Sequence, residues 1–255
     1  FKANCTVTLP SEVIKQVLSP SGGYAAMLTS GQIHVVKLSS GQVIAQLPAN
    51  ISAYSDMVFA GEETLVYAGP DGVCACSLEG GQTLWSAGDH AVTIAVSEDG
   101  STVAAARPDG GGAELYDRGT GEHKGSVSFG GFRQKVIGNS IFADPMDDFF
   151  VLDESGRYLA VSFENGGVWI FDTVYPDGSI EVLGQSDYTY FEGGFYDGVF
   201  AFTAYDGVNS DFFAVDPAAA DWVGSMSGLG QLRLAVCEDG FCLAKDNVLV
   251  RLDVL

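Results

Sequence analysis

Gly23-Tyr-Ala-Ala-Met-Leu-Thr-Ser-Gly-Gln-Ile-His-Val-Val-Lys-Leu-Ser-Ser-Gly-Gln-Val-Ile-Ala-Gln-Leu47 is the stretch that decides the fold. Three runs, Tyr24–Leu28, Gln32–Leu38 and Gln42–Leu47, are short, rich in aliphatic and β-branched residues, and joined by Thr-Ser-Gly and Ser-Ser-Gly. Runs of this length between turn residues read as strands, because a helix needs ten or more positions to show its period. Glycine supplies the positive φ that such tight connections demand.

The same rhythm recurs along the chain. Gly22, Gly61, Gly100, Gly156, Gly198 and Gly240 each separate two short apolar runs, at gaps of 39, 39, 56, 42 and 42 residues. A second series, Gly31, Gly72, Gly111, Gly166, Gly207 and Asn247, trails the first, and a third runs through Gly41, Gly81, Gly121 and Gly178. Three turns per period of about 40 residues separate four strands, and antiparallel units of that size are propeller blades. The expectation is therefore an all-β, six-bladed β-propeller of four-stranded antiparallel blades, one domain over residues 1–255, with almost no helix.

The last unit is one strand short, with Leu232–Cys237, Phe241–Lys245 and Val248–Val254, while Asn4–Leu9 is one strand too many at the start. The two cancel if the N-terminal strand pairs with the last blade, which covers its edge and closes the ring. The long 56-residue gap places an insertion at 130–147, either functional or poorly ordered, and seven blades is the alternative if it hides a degenerate unit.

Ser77-Leu-Glu-Gly-Gly-Gln-Thr-Leu-Trp85 resembles the quinoprotein repeat, in which a Trp after a Gly turn docks between blades. Val168-Trp-Ile-Phe-Asp172 resembles the third strand of a WD40 blade, with Phe171-Asp172 where that family has Trp-Asp. The chain as a whole is similar to the WD40, YVTN and quinoprotein-like propellers. That resemblance implies a fold rather than an activity. Quinoprotein enzymes carry an adjacent Cys-Cys pair, whereas Cys74-Ala-Cys76 cannot form that bridge, so no cofactor is expected.

Composition narrows the function classes. With 33 acidic against 12 basic residues the net charge is -21, which repels nucleic acid and anionic membranes. Sixteen of those carboxylates fall between Val136 and Leu232 beside a single basic residue, Arg157. No run approaches the roughly 18–20 apolar residues of a membrane helix. The start at Phe1 is read as a sign that a leader, anchor or further domain has been removed.

Candidate sites are few. If Asp239-Gly240 forms a two-residue hairpin turn, Cys237 faces Cys242 at a spacing that a disulfide accepts in an oxidising compartment. Ten aromatic residues lie between Asp187 and Phe213, and Tyr188, Tyr190, Phe191, Phe195 and Tyr196 surround Gly193-Gly194 in what reads as a less regular stretch. Rings beside carboxylates suit a sugar or a cationic peptide. The histidines His34, His90 and His123 have no metal-ligand spacing; Asp144, Asp147 and Asp148, like Asp206, Asn209 and Asp211, do not fit a calcium loop. No nucleophile elbow or phosphate loop is present.

The reading is a non-enzymatic binding or scaffold domain of an extracytoplasmic bacterial protein, secreted or membrane-anchored, with no catalytic or metal site. It is expected to be a monomer that takes a protein, peptide or glycan through one propeller face. The alternative is a hydrolase or lyase with catalytic residues gathered around the central channel.

Overall fold

The structure, a computed structural model, describes residues 6–48, 56–69, 72–88, 91, 93–130, 149–163, 167–237, 239–245 and 248–252. The chain divides into two compact units: Phe1–Val96, Gly100–Pro108 and Ala113–Gly125 form the first, and Ser97–Asp99, Asp109–Gly112 and Ser126–Leu255 the second.

The described residues build six antiparallel sheets, each a consecutive meander. The first comprises β1 (Lys15–Leu18), β2 (Tyr24–Thr29), β3 (Gln32–Lys37) and β4 (Gln42–Pro48). The second comprises β5 (Met57–Phe59), β6 (Thr64–Gly69), β7 (Gly72–Ser77) and β8 (Thr83–Ala87). The third comprises β9 (Ile94–Val96), β10 (Thr102–Ala106), β11 (Gly112–Asp117) and β12 (His123–Ser128). In the fourth are β13 (Phe150–Leu152), β14 (Tyr158–Ser162), β15 (Val168–Asp172) and β16 (Ile180–Leu183), with a single 3-10 turn at Pro176–Gly178. The fifth holds β17 (Tyr190–Tyr196), β18 (Val199–Tyr205), β19 (Ser210–Asp216) and β20 (Asp221–Met226). The sixth holds three strands, β21 (Arg233–Cys237), β22 (Gly240–Lys245) and β23 (Val248–Leu252). That 3-10 turn is the only helical element among the described residues.

Most of these glycines do what the spacing demands: Gly31, Gly72 and Gly207 turn at φ of 96°, 97° and 97°, and Gly41, Gly81 and Gly121 at 69°, 64° and 72°; in the third sheet Gly110 rather than Gly111 takes the positive φ, and Gly178 ends a 3-10 turn without one. Val168–Asp172 is the third strand of its sheet, the place the WD40-like motif assigns it. Its Asp172 is buried and takes Arg157 Nε at 3.1 Å and Nη2 at 2.9 Å. Asn4 and Cys5 of the expected closing strand lie outside the described residues; Thr6–Leu9 are described and form no strand. Of the expected insertion at 130–147, all but Gly130 also lies outside them.

Within each unit the first strands of successive sheets lie side by side: β1, β5 and β9 in one, β13, β17 and β21 in the other. Middle strands such as β10 and β14 are buried on both faces, as stacking of sheet on sheet requires. Carboxylates tie neighbours together. In the first unit Asp56 accepts the N–H of Ile94 at 3.1 Å and the hydroxyl of Thr93 at 2.8 Å, and pairs with the ammonium of Lys15. Trp85 is buried and donates its indole N–H to the Arg118 carbonyl at 2.5 Å, so the residue of the quinoprotein-like motif does dock on the following sheet.

Candidate functional site

The aromatic stretch forms a regular strand. A Cβ on Gly193 would stand 2.9 Å from Phe202 Cβ and 3.0 Å from Phe200 Cζ, and one on Gly194 would stand 2.4 Å from Val236 Cγ2. The glycine pair therefore lets β17 run flat between rings on one side and β21 on the other, which corrects the expectation of an irregular segment. Side chains alternate across it. Phe191, only 2% exposed, and the half-buried Phe195 turn into the core with Phe149, Phe200 and Phe202. Ring centroids there lie 4.9 Å apart for Phe195–Phe200 and 5.1 Å for Phe149–Phe200. Phe191 has no surface to offer a ligand.

The other face of β17 meets β21. Glu192 accepts the Leu234 N–H at 2.7 Å, the Tyr190 hydroxyl at 2.6 Å and Arg233 Nη1 at 2.7 Å. The Arg233 guanidinium also lies 5.0 Å from the Tyr190 ring centroid and donates to its hydroxyl. Burial between the strands raises the Glu192 carboxyl above its ordinary range, with the Leu234 N–H opposing. Tyr196, half-buried, packs edge-on to Phe241 at 6.0 Å. Of the five aromatic residues singled out, Tyr190 and Tyr188 are the two whose hydroxyls meet charged side chains, Glu192 and Arg233 for the first and Asp211 for the second.

Tyr188 opens a second arrangement toward the outer strand. Its hydroxyl donates to Asp211, whose other oxygen takes the Gly228 N–H at 2.8 Å, and desolvation together with that carboxylate pushes the phenol up to about 12. Its ring lies 6.5 Å from that of Phe213, and Phe213 lies 5.8 Å from Trp222. Exposure rises along the series, from half-buried Tyr188 and Phe213 to Trp222 at 51%. All six residues of β20 are exposed, with Val223 and Met226 beside Trp222, whereas β4, β8, β12 and β16 each bury at least one residue. Sequence reasoning missed Trp222, since a lone Trp after Pro217-Ala-Ala-Ala-Asp221 reads equally well as packing.

The cysteine hairpin differs from expectation. Cys237 pairs with Gly240 and Cys242 with Ala235, leaving residues 238–239 rather than Asp239-Gly240 as the connection. Gly240 takes φ of 135° inside β22, a conformation open to it because it lacks a Cβ. Cys237 and Cys242 are thus diagonal neighbours on one face, with Cα atoms about 7–8 Å apart in such a ladder, beyond the usual disulfide range. Both are free thiols, and a hydrogen bond with Cys242 raises the Cys237 thiol. Cys74 and Cys76 form no disulfide, and burial beside them pushes the Tyr67 phenol up.

Among the described residues no three His, Cys, Asp or Glu side chains converge as a metal site. Asp206 closes its own turn on the N–H groups of Val208 and Asn209, at 2.8 and 2.7 Å. His34 is buried in β3 and His123 pairs with Glu114 at 2.8 Å; His90, Asp144, Asp147 and Asp148 lie outside the described residues. No described helix is long and apolar enough to cross a membrane.

No protein-family model matches the chain, and no curated protein matches it. Solved structures do. The computationally designed Ika8 protein aligns at a TM-score of 0.62 and 16% identity over 95% of this chain and 72% of that one. Kluyveromyces lactis Hsv2 aligns at 0.60 and 12% over 86% and 74%. KlAtg21, in complex with the coiled coil of AgAtg16, aligns at 0.61 and 12% over 86% and 72%. At these identities the likeness shows the fold alone. With the meandering antiparallel sheets, that fold is a β-propeller.

Proposed function

We propose that this chain is a non-enzymatic partner-binding domain of an extracytoplasmic bacterial protein, and that its partner is a protein held on the β17–β20 sheet. The observation that carries this reading is the outward surface of β20, where Trp222, Val223 and Met226 are exposed on a strand that buries nothing. An apolar group of that kind on an otherwise acidic protein suits a contact surface. A similar fold, KlAtg21, is found with a coiled-coil protein, which supports a protein rather than a glycan as partner. Trp222→Ala, in a crosslinking capture from the source cells, is expected to lose the partner while thermal unfolding stays unchanged. Capture as efficient as wild type would reject the surface.

Two finer points belong to the same reading. The closing strand that the sequence assigns to Asn4–Leu9 would have its place beside β23, whose Val248, Leu249 and Val250 are exposed and which has no outer neighbour among the described residues, although Thr6–Leu9 form no strand here. Crosslinking Cys5 to a cysteine placed at Leu249 tests that pairing; absence of the crosslink in folded protein rejects it. The extracytoplasmic placement is carried from the sequence, where Cys237 and Cys242 flank one hairpin; in the structure they share one of its faces as diagonal neighbours. Thiol counting on protein isolated without reductant checks it, and two fully free thiols there would count against it.

The second reading, a hydrolase or lyase, would draw on Tyr190, Glu192 and Arg233. Both Glu192 oxygens are occupied by neighbouring donors, which favours a tie between strands over an acid or base.

A further inference from the structure

Across β19 and β20, Asp216 stands directly opposite Asp221, and Val215 opposite Trp222. Like charges facing one another in an antiparallel ladder destabilise it, and a cation nearby is the usual relief. None lies close in sequence: from Tyr158 to Leu232 there is no Lys, Arg or His, while the stretch 184–226 alone carries seven carboxylates, Asp187, Glu192, Asp197, Asp206, Asp211, Asp216 and Asp221. Asp216 is engaged through one oxygen by the N–H groups of Ala218 and Ala219, and Asp221 through one by Trp222 N–H at 2.8 Å. These bonds orient the carboxylates without neutralising them.

β20 is also the end of its sheet, with no strand on its outer side among the described residues. A free strand edge offers alternate N–H and C=O groups to any extended chain laid beside it. In an added antiparallel or parallel strand, the residue beside Asp221 extends the Asp216–Asp221 row, and its neighbour, on the other face, meets Trp222. The first position calls for a cation and the second for an apolar residue.

Resting on the reading of this sheet as the partner-binding surface, we infer that the free edge of β20 docks an extended, cationic segment of a partner protein. The segment adds as a further strand and sets a Lys or Arg against the Asp216–Asp221 pair and an apolar side chain against Trp222. Backbone hydrogen bonds supply register, and the carboxylates select charge.

The test uses a dye-labelled short peptide alternating Lys and Val, its counterpart alternating Glu and Val, and two versions of the first N-methylated on one or the other alternate set. Anisotropy at low salt is expected to show binding of the Lys peptide alone, and loss of binding by one of the two methylated versions. Asp216→Asn with Asp221→Asn is expected to weaken binding by about tenfold or more, and raised salt to weaken it in wild type. The double variant keeps side-chain shape and removes the repulsion, so its melting temperature at low salt is expected to rise, which shows that it folds. Equal binding of the Glu peptide, equal binding by the double variant, or unchanged binding of both methylated peptides overturns the inference. If the captured partner depends on Trp222 while the peptides behave that way, the binding surface stands and only its cationic strand mode falls.

Discussion

Glu192 reaches from β17 to accept the N–H of Leu234 in β21 at 2.7 Å, so a side chain of one sheet completes the backbone of the next. In the first unit Asp56 does the same for Ile94 at 3.1 Å. Both carboxylates stand at or near the start of a first strand, where a backbone N–H facing the next sheet has no ladder partner of its own.

Removing the Glu192 acceptor leaves that N–H and the Tyr190 hydroxyl short of a partner. Glu192→Ala is expected to cost about 1–3 kcal/mol in urea unfolding, with Arg233 contributing little because it is largely solvated. Glu192→Gln keeps an oxygen for Leu234 and is expected to recover most of the loss; equal losses for both variants would show that charge rather than the backbone bond matters.

Gly193→Ala drives a methyl against Phe202, Phe200 and Phe149, at 2.9, 3.0 and 3.1 Å, within a packed aromatic core. The expected cost is roughly 1–3 kcal/mol, as for other overpacked cores. Gly194→Ala meets only Val236, which is 43% exposed and free to turn, so it should cost less despite the shorter initial approach. Chemical denaturation of the two variants side by side checks the order.

Ala220 sits at φ of 52° in the β19–β20 turn, where the turns before β4, β8 and β12 place Gly41, Gly81 and Gly121. A left-handed alanine costs roughly 1–2 kcal/mol, against about 0.5–1 kcal/mol for the extra freedom of an unfolded glycine. Ala220→Gly is therefore expected to stabilise the protein by roughly 0.5–1 kcal/mol. A lowered denaturation midpoint would contradict this.

The Tyr188 phenol, raised from 10.0 to about 12, stays protonated in the folded chain after it has ionised in the unfolded one. Its folded form holds the proton more tightly, so its contribution to stability is full below pH 10 and is lost as pH rises toward 12. Tyr188→Phe removes that dependence. Difference absorbance of the phenolate in wild type and variant, followed through the same window, is expected to differ by one late-ionising tyrosine.

What the sequence determined by itself was the repeat, and through it the sheets. Gly31, Gly41, Gly72, Gly81 and Gly121 mark turns whose positive φ is a local requirement, so spacing alone orders the strands between them, and Val168–Asp172 falls third in its sheet for the same reason. The Cys237–Cys242 register was not legible, because it turned on which two residues bridge a hairpin with Gly240 able to stand in the turn or in the strand. Nor was the split of Tyr190 from Phe191, one facing Arg233 and the other the core, until both flanking sheets were in place. Glu192 and Arg233 are 41 residues apart, and Asp216 meets Asp221 only once β19 and β20 pair. Local backbone preference writes the strands; contacts between strands distant in the chain, which no short-range pattern encodes, decide which of their side chains are left facing water.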